Sequence, residues 1–252
     1  MFPDQRRNQI IKLLEIQKFA TVEEMSKAIF VSEPTLRRDF AQLEKEGLIH
    51  RTRGGASFIF PTHVEFPFDA RVKHNSDKKK YISDIAETFL HDRLNIFLDS
   101  SSTGLYLSRK FKNFTGLTVL TNGIKAANLL SDESDASINC VCGQVFPKRS
   151  SASGQDTCDY ISRYYADIAF ISCRGLSAEQ GATDCTREEA AVKQCYQKHA
   201  RKTILLVDSS KFDEVYFNQI LPMEKIDVII TDKPLPEAIN DMAKAADVQV
   251  LF

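Results

Sequence analysis

Six short apolar runs recur through the later two thirds of the chain, at residues 94–98, 117–120, 138–142, 168–172, 204–207 and 226–230. Each is too short for a helix and is bounded by small or polar residues. Such runs read as strands covered on both faces, the environment of a parallel sheet. Around and between them lie stretches with helical patterning, at residues 77–90, 104–111, 124–130, 156–165, 187–199 and 235–246. Alternating strands and helices predict an α/β fold on a mostly parallel sheet. No internal repeat or low-complexity tract interrupts the pattern.

The small and polar residues fall at the strand ends. Asp99-Ser100-Ser101-Ser102-Thr103-Gly104 follows the first run, Thr121-Asn122-Gly123 the second, Gly143 the third, Cys173-Arg174-Gly175 the fourth, and Asp208-Ser209-Ser210-Lys211 the fifth. In open α/β sheets that carboxyl edge is where ligands bind. A hydroxyl-rich loop entering a helix presents backbone N–H groups and Ser or Thr hydroxyls to an anion, so a phosphorylated small molecule is the expected guest. Lys211 offers a point charge for phosphate, while Asp99 and Asp208 can accept hydrogen bonds from sugar hydroxyls or from neighbouring loops. Glu189 and Lys193 stand four apart, which fits either a place in this site or a helix salt bridge.

Upstream, residues 31–55 read VSEPTLRRDFAQLEKEGLIHRTRGG. Ser32 at the N-cap, Glu33 and Pro34 form a helix start, and Val31 is placed to staple over Leu36. Leu36, Phe40 and Leu43 share one face; Pro34, Arg38, Ala41 and Lys45 point the other way, flanked by Thr35 and Arg37. A preceding helix opens with Thr21 and Glu24 as a capping box and carries Val22, Met25, Ala28 and Ile29 inward. An earlier helix, residues 6–17, adds Ile10, Leu13, Leu14 and Gln17. Two helices joined by a short turn at Phe30 and Val31 predict a helix-turn-helix whose second helix offers Thr35, Arg37 and Arg38 to a DNA major groove. After Gly47, the alternating residues 49–53 meet Gly54-Gly55, which suits a tight hairpin, a wing with Arg51 and Arg53 on one face within reach of phosphate.

Charge narrows the partner. Lysine plus arginine against aspartate plus glutamate stands at 10 to 8 through Ser57 and 23 to 26 beyond it. So slight an excess disfavours a non-specific polyelectrolyte binder and suits site-specific contact by a few placed arginines, with two or more copies per operator. No stretch approaches the roughly eighteen apolar residues of a membrane helix, and the first five residues do not resemble a signal peptide, so a cytoplasmic protein is expected. Six cysteines, Cys140, Cys142, Cys158, Cys173, Cys185 and Cys195, show no zinc-knuckle spacing and read as reduced, mostly buried thiols. Cys140 and Cys142 share a strand face and with Cys173 offer a less favoured metal or redox site. Residues 58–75, broken by Pro61 and Pro67, read as an inter-domain connection.

The segment VSEPTLRRDFAQLEKEGLIHRTRGGA resembles the signature of the DeoR family of bacterial transcriptional regulators, as DSSSTG, TNG, GATDCTREEAAVK and DSSKF resemble its sensor-domain motifs. The resemblance implies a winged helix-turn-helix domain at residues 1–57, a linker at 58–75, and at 76–252 a sugar-phosphate sensor whose architecture is shared with ribose-5-phosphate isomerases. With it, the DNA contacts expected from the helix start and the wing are Ser32, Pro34, Thr35, Arg37, Arg38, Arg51 and Arg53. It implies effector contacts from Asp99, Ser100, Ser102, Thr103, Asn122, Gly143, Gly175, Glu189, Lys193, Asp208 and Lys211. Ser101, Gln144, Arg174 and Thr186 depart from the family pattern; Ser101 and Gln144 would narrow the cradle, and Arg174 would add a second charge for phosphate or fill the pocket. Pro34 changes what faces the groove.

The expected function is therefore a non-enzymatic repressor of a carbohydrate-utilisation operon, a homodimer or homotetramer on double-stranded operator DNA, released by a phosphorylated sugar and needing no cofactor or metal. Two other readings are an isomerase-like enzyme with a DNA-binding head, using Asp99, Glu189 and Lys211 as acid–base groups, and a thiol sensor using Cys142, Cys173 or Cys185.

Overall fold

The computed structural model describes residues 3–58, 67–146 and 148–252. The chain forms two compact units, Met1–His74 and Asn75–Phe252.

The first unit runs α1 (Pro3–Gln17), β1 (Phe19–Thr21), α2 (Val22–Ile29), α3 (Glu33–Lys45), β2 (Ile49–Thr52), β3 (Gly55–Phe58) and α4 (Phe68–Lys73). The capping box forms: Glu24 N donates to Thr21 Oγ1 at 3.1 Å, and Thr21 N donates to the Glu24 carboxylate at 2.8 Å. Phe30 closes α2 in the left-handed region, φ 55°. Ser32 occupies the N-cap of α3, but its hydroxyl shares a hydrogen bond with the Thr35 hydroxyl at 3.0 Å instead of accepting from the helix. Ile10, Ile11, Leu14, Val22, Met25, Ile29, Leu36, Phe40 and Leu43 make one core, with Val31 packed against it. Gln17 and Ala28, expected inward, are exposed. Gln17 ends its helix where Lys18 turns the chain at φ 68°, and Ala28 lies beside the stripe fixed by Val22, Met25 and Ile29.

The wing hairpin pairs Thr52 with Gly55, so its turn is Arg53-Gly54 and not Gly54-Gly55. Gly54, at φ 87°, supplies the left-handed turn residue. Gly55 is needed for a different reason: a Cβ there would meet the Ala20 carbonyl oxygen at 2.5 Å, where β1 pairs antiparallel with β3 and Thr21 stands opposite Gly55. Of the expected connection, residues 59–66 lie outside the described residues. Phe58 completes β3, and residues 68–73 form α4, whose Ala70 joins the first unit's core.

The second unit begins with α5 (Ser76–Ala86) and continues β4 (Asn95–Leu98), α6 (Ser102–Ser108), β5 (Thr118–Thr121), α7 (Ile124–Glu133), β6 (Ser137–Cys140), β7 (Gln144–Val145), β8 (Ala152–Ser153) and α8 (Gln155–Ile161). Then come β9 (Ala166–Ser172), β10 (Gly175–Ser177), β11 (Gly181–Asp184), α9 (Arg187–Lys198), β12 (Ala200–Leu206), β13 (Asn218–Leu221), β14 (Val228–Ile230), α10 (Glu237–Ala245) and β15 (Gln249–Leu251). All six expected strands enter one parallel sheet, ordered β15-β14-β12-β9-β4-β5-β6. The sequence pattern does not reveal β15, the β7–β8 hairpin or the small antiparallel sheet β10-β11-β13, whose strands of two to four residues are too short to establish a period.

The strand order turns on β4 and β9. From β4 the chain builds outward through β5 and β6; from β9 it builds the other way through β12, β14 and β15. The carboxyl ends of β4 and β9 therefore flank the topological switch point, where adjoining loops diverge to opposite sides and open a crevice.

Candidate functional site

At that crevice the loop after β4 meets the end of β9. Asp99 Oδ2 accepts from Ser172 N at 2.8 Å, and its Oδ1 accepts from Ser101 N at 3.0 Å. Ser101 caps α6, its hydroxyl accepting from Gly104 N at 2.8 Å, so the extra side chain at this departure from the family pattern folds back onto its own helix. Ser172, absent from the sequence-derived set, also accepts from Lys211 Nζ at 3.1 Å, and Lys211 lies 3.5 Å from Asp208.

α9 supplies the floor. Glu189 and Lys193 sit on one face of it, both buried, and each engages other elements. Lys193 Nζ is 2.5 Å from Asp184 Oδ2 and 3.8 Å from Asp99 Oδ2; Glu189 accepts from the hydroxyls of Ser100 at 2.9 Å and Ser151 at 2.5 Å. The simple i,i+4 salt bridge is not formed among the described residues. Arg174 stands 4.0 Å from Asp184, so it adds a cation to this cluster. Asn122 accepts from the Tyr196 hydroxyl at 3.3 Å and donates to the Ala152 carbonyl at 3.2 Å. Ser151, Ser172, Asp184 and Tyr196 escaped sequence reasoning; of these only Asp184 carried a signal, as the acidic end of the GATD run before α9.

Electrostatics separate the groups. Burial works against charge on Lys193, but Asp184 and Asp99 outweigh it and hold the ammonium firmly protonated. Burial likewise opposes charge on Asp184, yet Lys193 and Arg174 keep it below the usual carboxylate range. Asp208 is also buried, and against that burial Lys211, the Ser210 hydroxyl, Lys79 and Lys78 hold it below the usual carboxylate range. Glu189 is pushed up, because burial exceeds the help of Lys193 and its two hydroxyl donors. Cys173 is raised to about 12 by burial, which removes it as a thiolate at neutral pH.

Among the remaining expected contacts, Ser102 and Thr103 are buried in the first turn of α6, and Thr103 Oγ1 has no hydrogen-bond partner among the described residues; the same holds for Ser153 Oγ beside the Gly143 loop. Gly143 and Gly175 have packing reasons to be glycine. A Cβ on Gly143 would fall 2.1 Å from Thr157 Oγ1, and one on Gly175 2.1 Å from the Glu214 carbonyl oxygen. Gln144 is exposed in β7, and Thr186 is the N-cap of α9, its hydroxyl making no cap bond. The described residues hold no cluster of metal ligands; Cys140 and Cys142 are exposed while Cys173 is buried.

On the first unit, α3 exposes Ser32, Pro34, Arg37 and Arg38, with Thr35 half-buried. Arg37 is drawn to Glu33 at 3.2 Å, whereas Arg38 has no ion-pair partner among the described residues. Arg51 leans on Glu44 at 3.7 Å, and Arg53 stands at the wing tip, so the two do not form one exposed strand face. The exposed face of α3 is held from beneath by Asp39, buried and doubly hydrogen-bonded to Arg6 of α1 at 2.5 and 3.0 Å.

A winged helix-turn-helix unit followed by an α/β unit with clustered polar and charged side chains at its switch point is the architecture of a transcription regulator with a sensor domain. Residues 6–62 match the DeoR-like helix-turn-helix domain and residues 74–233 the DeoR C terminal sensor domain. The chain belongs to the DeoR family of transcriptional regulators. It is 33% identical over 239 residues to the HTH-type transcriptional regulator GolR of Listeria innocua, covering 95% of this chain and 94% of GolR. It is 25% identical over 246 residues to the glycerol-3-phosphate regulon repressor of Escherichia coli, covering 98% and 97% of the two chains. Among solved structures, ribose 5-phosphate isomerase A of Methanocaldococcus jannaschii aligns with 55% of each chain at 18% identity and a TM-score of 0.41. No helix among the described residues is long and apolar enough to cross a membrane.

Proposed function

We propose that this regulator is a cytoplasmic repressor of a carbohydrate-utilisation operon, that it binds operator DNA as a homodimer or homotetramer, and that a phosphorylated sugar at the switch-point crevice lowers its DNA affinity. The observation that carries the reading is the meeting of Asp99, Ser172 and Lys211 where β4 and β9 end. It sets a cation beside buried hydroxyls, a composition suited to a phosphate ester with a polyhydroxyl body. Thr103 Oγ1 in α6 and Ser153 Oγ in β8, buried without hydrogen-bond partners among the described residues, supply further hydrogen-bonding capacity. The name of the glycerol-3-phosphate regulon repressor supports a phosphorylated effector.

The head reads DNA through the α3 N-terminus: Arg38 and Thr35 face base edges, Ser32 and Pro34 shape the approach, and Arg37, Arg51 and Arg53 serve phosphates. The effector acts by linkage. It releases DNA to the extent that it binds the DNA-incompetent arrangement of the oligomer more tightly than the competent one. The protein is not an enzyme in this reading, because Lys193 is committed between two carboxylates and both Glu189 oxygens are held by hydroxyls.

The test is fluorescence anisotropy of a labelled fragment from upstream of the protein's own gene, titrated with protein and then with phosphorylated sugars and their unphosphorylated parents. Release by one phosphate ester and not by its parent sugar is expected. DNA binding that no member of a broad panel reverses would overturn the effector half, and failure to prefer this fragment over unrelated DNA would overturn the repressor half.

A further inference from the structure

Asn75 is the first residue of the second unit, next in the chain to the last residue of the first. It stands at the N-cap of α5 in the left-handed region, φ 53°, and its side chain makes no cap bond. An asparagine at an N-cap ordinarily accepts from its own helix. This one reaches 133 positions along the chain instead, its amide donating to Asp208 Oδ1 at 3.3 Å and to Ser210 Oγ at 3.0 Å. Three residues on, Lys78 Nζ donates to Ser209 Oγ at 2.8 Å and lies 3.7 Å from Asp232. Asp232 in turn accepts from Ser209 N at 2.6 Å and from Ser209 Oγ at 2.9 Å. Two side chains from the start of α5 therefore hold the turn that carries Lys211.

We infer that Asn75 is a positioning residue that couples the crevice to DNA binding: a phosphate on Lys211 is felt, through Asp208, at the residue where the chain enters the sensor unit. The inference rests on the reading of Lys211 as the cation of the phosphate seat, and adds the route by which occupancy of that seat acts elsewhere.

Asp208 is the junction. Its carboxylate faces Lys211 at 3.5 Å, the backbone N–H of Ser210 at 3.2 Å, the Ser210 hydroxyl and the Asn75 amide. Lys211 also donates to Ser172 at the end of β9, so one ammonium serves the crevice and Asp208 together. A phosphate that takes this ammonium draws a cation from Asp208 and sets negative charge beside it. The carboxylate then depends more on what α5 supplies, the Asn75 amide and the charges of Lys78 and Lys79. Filling the crevice thus tightens the hold on the start of α5. The DNA-competent arrangement needs residue 75 in the looser setting, so each ligand weakens the binding of the other by the same factor.

The probe is inorganic phosphate, titrated onto the full chain at an ionic strength held constant with chloride. Amide hydrogen exchange is read by mass spectrometry in peptides covering residues 76–86 and 208–212. In the parent, phosphate should slow exchange in both segments at one half-effect concentration. Adding the DNA fragment from upstream of the gene should raise that concentration about 5-fold or more. Asn75→Gly removes the amide and accepts the left-handed backbone. In this variant phosphate should still slow exchange at 208–212, while the response at 76–86 is lost and DNA shifts the half-effect concentration by less than about twofold.

Asn75→Asp tolerates the same backbone and sets a carboxylate against Asp208, so it should uncouple in the same way. It carries the test if thermal melting shows Asn75→Gly to be unfolded. A residue that merely supported the fold would, when replaced, speed exchange across 76–86 with and without phosphate and leave the DNA effect intact. That result overturns the inference, as does a parent in which phosphate protects 208–212 and leaves 76–86 unchanged. No protection at 208–212 in the parent would instead remove the phosphate seat itself, and the proposed effector reading and this inference would fall together.

Discussion

Asp99 and Ser172, 73 positions apart, join the two central strands of the sheet at their carboxyl ends, Asp99 Oδ2 accepting from Ser172 N at 2.8 Å. The same carboxylate accepts from Ser101 N, so both its oxygens face backbone donors. Asp99→Asn turns one amide group towards an N–H and leaves that donor unpaired in a buried place. The expected cost is about 1–3 kcal/mol. All seven tyrosines lie in the second unit, so urea unfolding followed by tyrosine fluorescence reads this change without interference from the head.

Lys193 places one ammonium between Asp184 and Asp99. Lys193→Met keeps the side chain's length but leaves two buried carboxylates without their closest cation, and a loss of about 3–5 kcal/mol is expected in the same unfolding experiment. A variant as stable as the parent would mean that these carboxylates are compensated elsewhere.

Acid should unfold the second unit in a defined window. Asp184 and Asp208 have lowered folded values, so the stabilisation they contribute is complete above the unfolded carboxylate value near about 4 and is lost as pH falls towards their folded values. Glu189 is raised and acts in the opposite sense: its contribution is complete below its unfolded value and lost as pH rises through the folded one. The tyrosine-monitored unfolding midpoint should therefore drop steeply below about pH 4. Asp208→Asn should flatten that drop.

Arg38 is exposed near the N-terminus of α3 and free of ion pairs among the described residues, unlike Arg37. Arg38→Ala should weaken operator binding by about 1–3 kcal/mol and relax preference at one base position. Arg53→Ala at the wing tip should instead weaken binding to all sequences and reduce the slope of log affinity against log salt by about one. Anisotropy titrations at several salt concentrations separate the two.

Lys211 can change partner without leaving a charge unanswered, since Asp208 also sits near Lys78 and Lys79. Lys211→Met should leave DNA affinity within about twofold of the parent and abolish release by the phosphate ester, consistent with the loss of a charge-assisted contact. Release at unchanged effector concentration would remove Lys211 from the site.

Much of this was legible in the chain itself. The capping box at Thr21 and Glu24, the apolar face of α3 and the six strands, five of them buried and β6 an exposed edge, follow from contacts within a few residues, which the spacing of side chains encodes directly. Strand-end polarity likewise marked one edge of the sheet, because a polar loop cannot be buried without partners and so advertises a site. Errors fell where local rules met a distant neighbour. Gly55 looked like a turn residue but is a strand glycine crowded by Ala20; the spacing of Glu189 and Lys193 left a helix salt bridge and a place in the site equally open, and only packing turns them to Ser100, Ser151, Asp184 and Asp99.

What the sequence determined alone was the kind of the six main-sheet strands it marked and of most helices, the helix-turn-helix with its wing, and the polar character of one edge of the sheet. What only the tertiary structure decided was adjacency. Strands apolar on both faces are interchangeable by pattern, so nothing local says that β4 lies beside β9 and places Asp99 on Ser172, or that α8 meets α9. Those pairings are set by how the whole sheet buries its two faces at once, a property of the packed core that no window of residues contains.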